Sequence, residues 1–206
     1  MPGQPGVSPK QRRGRDTVER LLRSALEVYA DTGTQGFTMT AVIEASGVSV
    51  GSLYHHFGSF EGLAATLYLR CKDDLLNTLI QAVRTTRTAR TGVYAMVSAY
   101  LRWSAEHPTE ALIIHASPYA GYLRAQADRL REDKAPKLQE LLELFAPHVA
   151  AGRIQSLPPA LTEMLVIGPV SVAVSRWLAG VPGFDLDEAA RLLPERVWQS
   201  VRGPNA

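Results

Sequence analysis

One stretch, Thr38–Phe57 (TMTAVIEASGVSVGSLYHHF), constrains this chain more than any other, because it holds two short helices and one turn chemistry that can join them. Ala41, Val42, Ile43 and Ala45 supply the apolar residues of the first helix, and Thr38 or Thr40 can cap its start. Gly47 stands where that helix must stop, and glycine takes the left-handed backbone at little cost. Ser49 can cap a second helix running through Leu53, Tyr54 and Phe57. Helix, Gly-centred turn and helix make a helix-turn-helix, whose second helix enters the major groove of DNA.

Helices this short are marginal in isolation, so the pair needs a platform. Val18, Leu21, Leu22, Ala25, Leu26 and Tyr29 follow i, i+3, i+4, i+7 spacing and predict a helix over about Asp16 to Asp31. Gly33 and Gly36 end it, with Phe37 filling the core between the first and second helices. Ser59 caps a fourth helix towards Arg84, with Glu61 near its positive end. A polar break over residues 85–91 precedes a fifth helix to Glu106, and His107–Pro108 opens a sixth that Ser117–Pro118 ends. A long helical region over 119–150 is expected to kink or split at Pro136. Two more helices follow, about Pro159–Ala179 and Asp187–Val201, with Pro169 and Pro194 inside them. No stretch alternates with period two over a useful length and no repeat is visible. The fold expected is all-α: a basic arm over residues 1–15, a helix-turn-helix domain over 16–58, and a second helical domain over 59–206.

At 206 residues with 46% hydrophobic content, the chain can bury a sizeable core. Cys71 is the single cysteine, which excludes an intramolecular disulfide and points to a reducing, cytoplasmic compartment. Basic residues near the N-terminus lack a following apolar run, so no signal peptide is read there. No uninterrupted apolar run approaches the roughly 20 residues of a membrane span. Net charge is only +2, but Lys10, Arg12, Arg13 and Arg15 precede the first acid, Asp16, giving four basic and no acidic residues. Pro2, Gly3, Pro5 and Gly6 favour a flexible tail, and Arg12, Arg13 and Arg15 are candidates for phosphate or minor-groove contacts.

On the second helix of the motif, Val50, Gly51, Ser52, Tyr54 and His55 form the expected exposed face, with Leu53 and Phe57 as core anchors. Ser52 and Tyr54 can donate to phosphates, Val50 can touch a thymine methyl, and His55 can donate to a phosphate or a base edge. Gly51 lets the backbone come close to the duplex.

The Thr38–Phe57 stretch, and GVSVGSLYHHF within it above all, resembles the DNA-recognition signature of the tetracycline-repressor (TetR) family of transcriptional regulators. The resemblance extends to the length and layout of the chain. It implies three N-terminal DNA-binding helices and a larger helical domain for effector binding and dimerisation. By position, Thr38, Thr40, Ser49, Val50, Ser52, Tyr54 and His55 match DNA-contacting positions of the family motif. Three positions depart from it. Val50 stands where Lys or Arg is common, Phe60 where a phosphate-contacting Lys is common, and Ile43 where a small Ala is usual.

Gly47-Val48-Ser49-Val50-Gly51 also matches the G-x-S-x-G nucleophile elbow of hydrolases. That motif requires a preceding buried strand, whereas Thr40–Ser46 reads as helix, so Ser49 is assigned as a cap and no catalytic residue is expected. His56, His107, His115 and His148 show no metal-ligand spacing, so no metal and no cofactor are expected.

For the second domain, Tyr68, Cys71, Tyr94, Trp103, His107, His115, Tyr119, Tyr122 and Met164 are candidate effector-pocket residues, each of which could equally be ordinary core. The existence of a cavity follows from the resemblance, and this residue set suits a moderately apolar or aromatic small molecule. The last two helices carry Leu161, Leu165, Val166, Val170, Val172, Val174, Trp177, Leu193, Val197 and Trp198, more apolar surface than one buried stripe requires. The resemblance implies that this pair packs on its two-fold mate, with Val166, Val170, Val174, Trp177, Leu193, Val197 and Trp198 as interface candidates. The expectation is a homodimeric DNA-binding regulator, chiefly a repressor released from an inverted-repeat operator by an effector. Its alternatives are a TetR-like activator, an effector-independent regulator, and a helical ligand carrier or enzyme that shares the fold.

Overall fold

The computed structural model describes residues 9–115 and 127–206. Among these every regular element is a helix, apart from one isolated antiparallel bridge between Ile154 and Arg202. The chain divides into two compact units, the first ending at Tyr68 and the second beginning at Leu69. The division therefore falls inside a helix rather than at Ser59.

The first unit opens with α1 (Pro9–Gly36), α2 (Met39–Ser46) and α3 (Val50–Phe57), followed by the start of α4 (Phe60–Arg84). Leu21, Leu22, Ala25, Val28 and Tyr29 bury one stripe of α1, as the spacing predicts. Gly33 breaks the helical backbone with φ +63, so glycine ends the regular part of α1. The N-terminal end differs from expectation. The chain from Pro9 through Arg15 is helical rather than a flexible arm. Proline suits a helix's first turn, Gln and Arg are good helix formers, and the Thr17 hydroxyl donates to the Arg13 carbonyl at 2.9 Å. Phe37 is buried, edge-on to Tyr29 with ring centroids 5.5 Å apart.

The second unit continues α4 and adds α5 (Ala89–Glu106), α6 (Pro108–His115), α7 (Ala127–Ala150), α8 (Pro159–Leu178) and α9 (Leu186–Val201). The expected start of α7, with pocket candidates Tyr119 and Tyr122, lies outside the described residues. A capping box between Thr88 and Thr91 starts α5 three residues earlier than the composition suggests. That helix is the centre of the core, with Val93, Met96, Val97, Tyr100, Leu101 and Trp103 buried along it. Pro136 neither splits α7 nor ends it, and α8 and α9 likewise run through Pro169 and Pro194. Each proline forfeits one helical hydrogen bond, which packing of these amphipathic helices on the core outweighs. The chain end is clasped to the α7–α8 loop. Gln155 N–H donates to the Val201 carbonyl at 2.8 Å, and Gly203 N–H to Arg153 at 2.9 Å.

The last two helices correct the interface expectation. Val166, Val170, Val174, Val197 and Trp198 lie in the core of their own unit, and Trp177 and Leu193 pack partly against it. The apolar residues left on the surface are on the opposite side of α8 and on α9: Leu161, Met164, Val172 and Leu192. Met164, a pocket candidate, is 69% exposed. The α8 helix is rich in apolar residues, with a mean hydropathy of 1.3 over 18 residues and 22% of that window buried.

Candidate nucleic-acid interface and second-unit polar cluster

The helix-turn-helix is built by local hydrogen bonds. Thr38 caps α2, its Oγ1 accepting the Ala41 N–H at 3.2 Å; Thr40 is exposed in the first turn. Gly47 takes the left-handed conformation (φ +62) and its N–H donates to the Ile43 carbonyl at 3.0 Å. Buried Ser46 braces the turn, donating to Ile43 and accepting the Val48 N–H. Val48 then enters the core and Ser49 caps α3, its Oγ accepting the Ser52 N–H at 3.3 Å. Ser49 Oγ also lies 3.0 Å from Ser52 Oγ. The element before Ser49 is a helix, so the G-x-S-x-G match lacks the strand a nucleophile elbow needs.

This scaffold gives α3 two unlike sides. Leu53 is fully buried, while Val50 is 42% and Tyr54 49% exposed. His55 and Gly51 share the exposed side, and nothing lies within 4 Å of where a Gly51 side chain would begin. Arg12, Arg13 and Arg15 are exposed on the first turns of α1. A side chain at Gly14 would begin 3.7 Å from the His56 ring, so that part of α1 lies beside α3. The structure thus gathers Val50, Gly51, Tyr54 and His55 on one surface and places Ser49 and Ser52 at its edge, occupied with capping. Phe60 packs on Phe37 and joins the core of the unit.

In the second unit the pocket candidates do not converge on one cavity. The Tyr94 hydroxyl donates to Glu195, which also pairs with Arg90, so Tyr94 ties α5 to α9. Tyr68 is buried in the first unit. Cys71, Trp103 and His115 are spread over α4, α5 and α6, with His107 between the last two. The Trp103 indole N–H donates to Asp74 Oδ2 at 2.7 Å, and the His107 ring lies 5.3 Å from Trp103. Burial, with Glu110 as a lesser cause, pushes the Cys71 thiol up to about 12, so it is not a nucleophile at neutral pH.

His115 is the most connected of the set. Its Nε2 lies 3.2 Å from the Tyr100 hydroxyl, and its Nδ1 lies 3.3 Å from Ser171 Oγ and 3.2 Å from Ser175 Oγ. Burial, aided by Lys72, lowers its pKa to about 4, so the imidazole is neutral at pH 7. Sequence reasoning missed Tyr100, Ser171 and Ser175. The signal for the serines was their i, i+4 spacing in an otherwise apolar helix. A cleft elsewhere in the unit, lined by Val83, Arg84, Phe145 and His148 among others, contains none of the expected residues.

A capped helix-turn-helix on a longer platform helix, followed by a larger helical unit, defines a helix-turn-helix DNA-binding protein. Residues 21–67 match the family described as "Bacterial regulatory proteins, tetR family". The chain is 23% identical over 195 residues to the HTH-type transcriptional repressor BepR of Brucella suis, covering 92% of this chain and 93% of that one. It is 27% identical over 185 residues to the HTH-type transcriptional activator FasR of Mycolicibacterium smegmatis, covering 87% and 80%. The fold matches that of the transcriptional regulator FadR from Bacillus subtilis in complex with stearoyl-CoA, with a TM-score of 0.69, 17% identity, and coverage of 89% and 99%. Residues 21–67 thus carry the tetR-family DNA-binding segment, and the chain is similar over most of its length to transcriptional regulators.

Proposed function

We propose that this regulator binds an inverted-repeat operator as a homodimer, acts in the cytoplasm as a repressor, and leaves DNA when a small molecule binds its second unit. The exposed face of α3, with Val50, Gly51, Tyr54 and His55 held outward by the Ser49 cap, carries the DNA-binding part of this reading. Thr38 and Thr40 at the start of α2 and the Arg12, Arg13 and Arg15 cations of α1 add phosphate contacts. Dimerisation is supported by the exposed Leu161, Met164 and Val172, because scattered exposure is ordinary but a stripe along one helix calls for a cover; Leu192 on α9 adds a further exposed apolar side chain. Two recognition helices one DNA turn apart then read a palindrome.

Effector release is supported by the stearoyl-CoA complex of FadR, which has the same fold. In this chain Cys71, Trp103 and Tyr100 are buried beside the half-buried His115, an apolar and aromatic set with a few polar tips that a ligand would reach by opening the core. The composition of that set suits a moderately apolar or aromatic effector. Such a ligand shifts the equilibrium only by its preference for the released state, about 1–3 kcal/mol in typical cases. The α4 helix contributes residues to both units and is the lever of this reading. No catalytic role is assigned, since Ser49 uses its hydroxyl as a cap.

Footprinting of the purified protein on the intergenic DNA beside its own gene tests the proposal. Protection of an inverted repeat overlapping the promoter is the expected result, and protection only upstream of it would favour the activator reading that FasR illustrates. No protection, together with turnover or uptake of a metabolite, would favour a carrier or enzyme. Tyr54→Ala should weaken operator binding by more than about fivefold in a gel shift while the protein stays folded.

A further inference from the structure

The exposed face of α3 restricts which base pairs it can select. Successive residues of a helix are about 100° apart, so Val50, Tyr54, Gly51 and His55 follow one another around a single arc. On the same wheel Ser52 and His56 lie opposite, while Leu53 and Phe57 border Val50, Phe57 by the i, i+7 relation. Val50 therefore stands at the edge of the arc beside the buried side: Leu53 is inaccessible while Val50 and Tyr54 are about half exposed. Gly51, in the middle of the arc, has open space around it. A duplex can therefore approach the backbone there, with Val50 and Tyr54 on one flank and His55 on the other.

The side-chain inventory on this arc is unusual for a base reader. Val50–Phe57 (VGSLYHHF) contains no Arg, Lys, Asn, Gln, Asp or Glu. Those are the residues that fork onto guanine or adenine or accept from cytosine. The Ser49 and Ser52 hydroxyls are engaged with each other and with the α3 cap. Tyr54 carries its hydroxyl at the end of a long ring, suited to a phosphate, and His55 stands on the far flank. Val50 is the first residue of the helix, at the end that recognition helices present to base edges. Its branched methyls can satisfy one major-groove feature, the 5-methyl group of thymine.

We propose that Val50 is a specificity-determining residue that reads a thymine methyl, so that each operator half-site carries a T·A pair held by apolar contact at the position facing it. The inference rests on the DNA-binding reading above and adds the base that this helix selects.

The test begins with selection of binding sequences by the full-length protein from a pool of random double-stranded DNA. Each thymine of the enriched half-site is then replaced in turn by deoxyuridine, which removes only the 5-methyl group. Affinity is measured for the wild type and Val50→Ala. Loss of one buried methyl corresponds to roughly a fourfold weakening. One uracil position per half-site should show it with the wild type and not with Val50→Ala. Val50→Lys, confirmed folded by circular dichroism, should enrich a G·C pair at the same position. Equal wild-type affinity for thymine and uracil DNA would overturn the proposal, as would a full uracil penalty persisting in Val50→Ala. Failure to enrich any sequence would instead overturn the DNA-binding reading on which this one stands.

Discussion

The Phe60 ring packs on the Phe37 ring, centroids 5.0 Å apart and planes inclined by 40°. Phe37 in turn meets Tyr29 edge-on, so three aromatic rings join α1, the α1–α2 connection and α4. A lysine is common at position 60 in relatives of this motif, and here the position is committed to packing. Phe60→Lys therefore sets two effects against each other. Loss of the aromatic contact should cost about 1–2 kcal/mol of stability in denaturant titration. If a lysine there swings out of that packing to reach a phosphate, it should steepen the salt dependence of DNA binding by up to roughly 0.9 in the log–log slope per protomer. An unchanged slope would show that the side chain at position 60 does not reach a phosphate.

Two glycines of the same region should respond in opposite ways to alanine. A methyl at Gly62 would lie 2.0 Å from the Phe57 carbonyl oxygen, so the α3–α4 turn must move to admit it. Gly62→Ala should destabilise the first unit by a few kcal/mol and weaken DNA binding through the displaced end of α3. Gly51 meets nothing within 4 Å. Gly51→Ala should leave the fold unharmed or more stable by up to about 0.5 kcal/mol, since it removes a glycine from the first turn of α3, yet weaken operator binding by filling the centre of the DNA-facing arc. Melting temperature and gel-shift affinity, measured on both variants, separate the two cases.

The helix-turn-helix was legible because capping is local chemistry. Thr38, Gly47 and Ser49 act within three or four residues of themselves, and the structure places each in the role its residue type suggests. The burial of Phe37 followed from the same register. What sequence could not supply was the choice between equivalent faces. On α8, Val166, Val170 and Val174 fit helical spacing, and so do Leu161, Met164 and Val172. Only tertiary packing decides which set enters the core, and it took the first. The His115 cluster was hidden for a related reason. Tyr100 stands on the helix before His115, while Ser171 and Ser175 lie 56 and 60 residues away, and their i, i+4 spacing marks a shared face without naming the partner across that distance. Pro136 misled in the other direction, because intrinsic cost was read without the packing that offsets it, whereas Pro169 and Pro194 stand inside their helices as expected.

The His115 environment makes a pH prediction. Its folded-state pKa lies near 4, below the unfolded value of about 6.5. The native protein therefore binds fewer protons at this site than the unfolded chain does between those limits. Its contribution is complete above about pH 6.5 and is lost as pH falls through that window towards 4. Wild-type stability should decline more steeply from pH 6.5 to 5 than that of His115→Asn, which keeps hydrogen-bonding capacity towards Tyr100, Ser171 and Ser175 but does not titrate. Parallel stability curves for the two proteins would show that His115 is not held neutral by burial.

Indole burial gives a second check on the same unit. Trp103 is buried and donates to Asp74 at 2.7 Å. Asp74→Ala removes the acceptor and leaves an indole N–H without that partner, at a cost of about 1–3 kcal/mol. A blue shift of tryptophan emission should accompany the loss, since a polar group near the ring is removed. Asp74→Asn retains an acceptor oxygen and should recover most of the stability, which distinguishes the hydrogen bond from a simple change of charge.

The two faces of α8 provide a decisive pair for the dimer. Val174 is fully buried in the core, whereas Met164 is 69% exposed. A carboxylate at position 174 has no route to water and should unfold the second unit, since burying an unpaired charge costs several kcal/mol. At position 164 the same carboxylate stays solvated in an isolated chain, so Met164→Asp should fold normally. If Leu161, Met164 and Val172 cover a second copy, that variant places two charges in the apolar seam of the dimer. Light scattering at micromolar concentration should then report a dimer for the wild type and a monomer for Met164→Asp, with unchanged helical content by circular dichroism. Operator affinity should fall with the dimer, because a single recognition helix reads half a palindrome. A Met164→Asp protein that remains dimeric would place the interface on another surface.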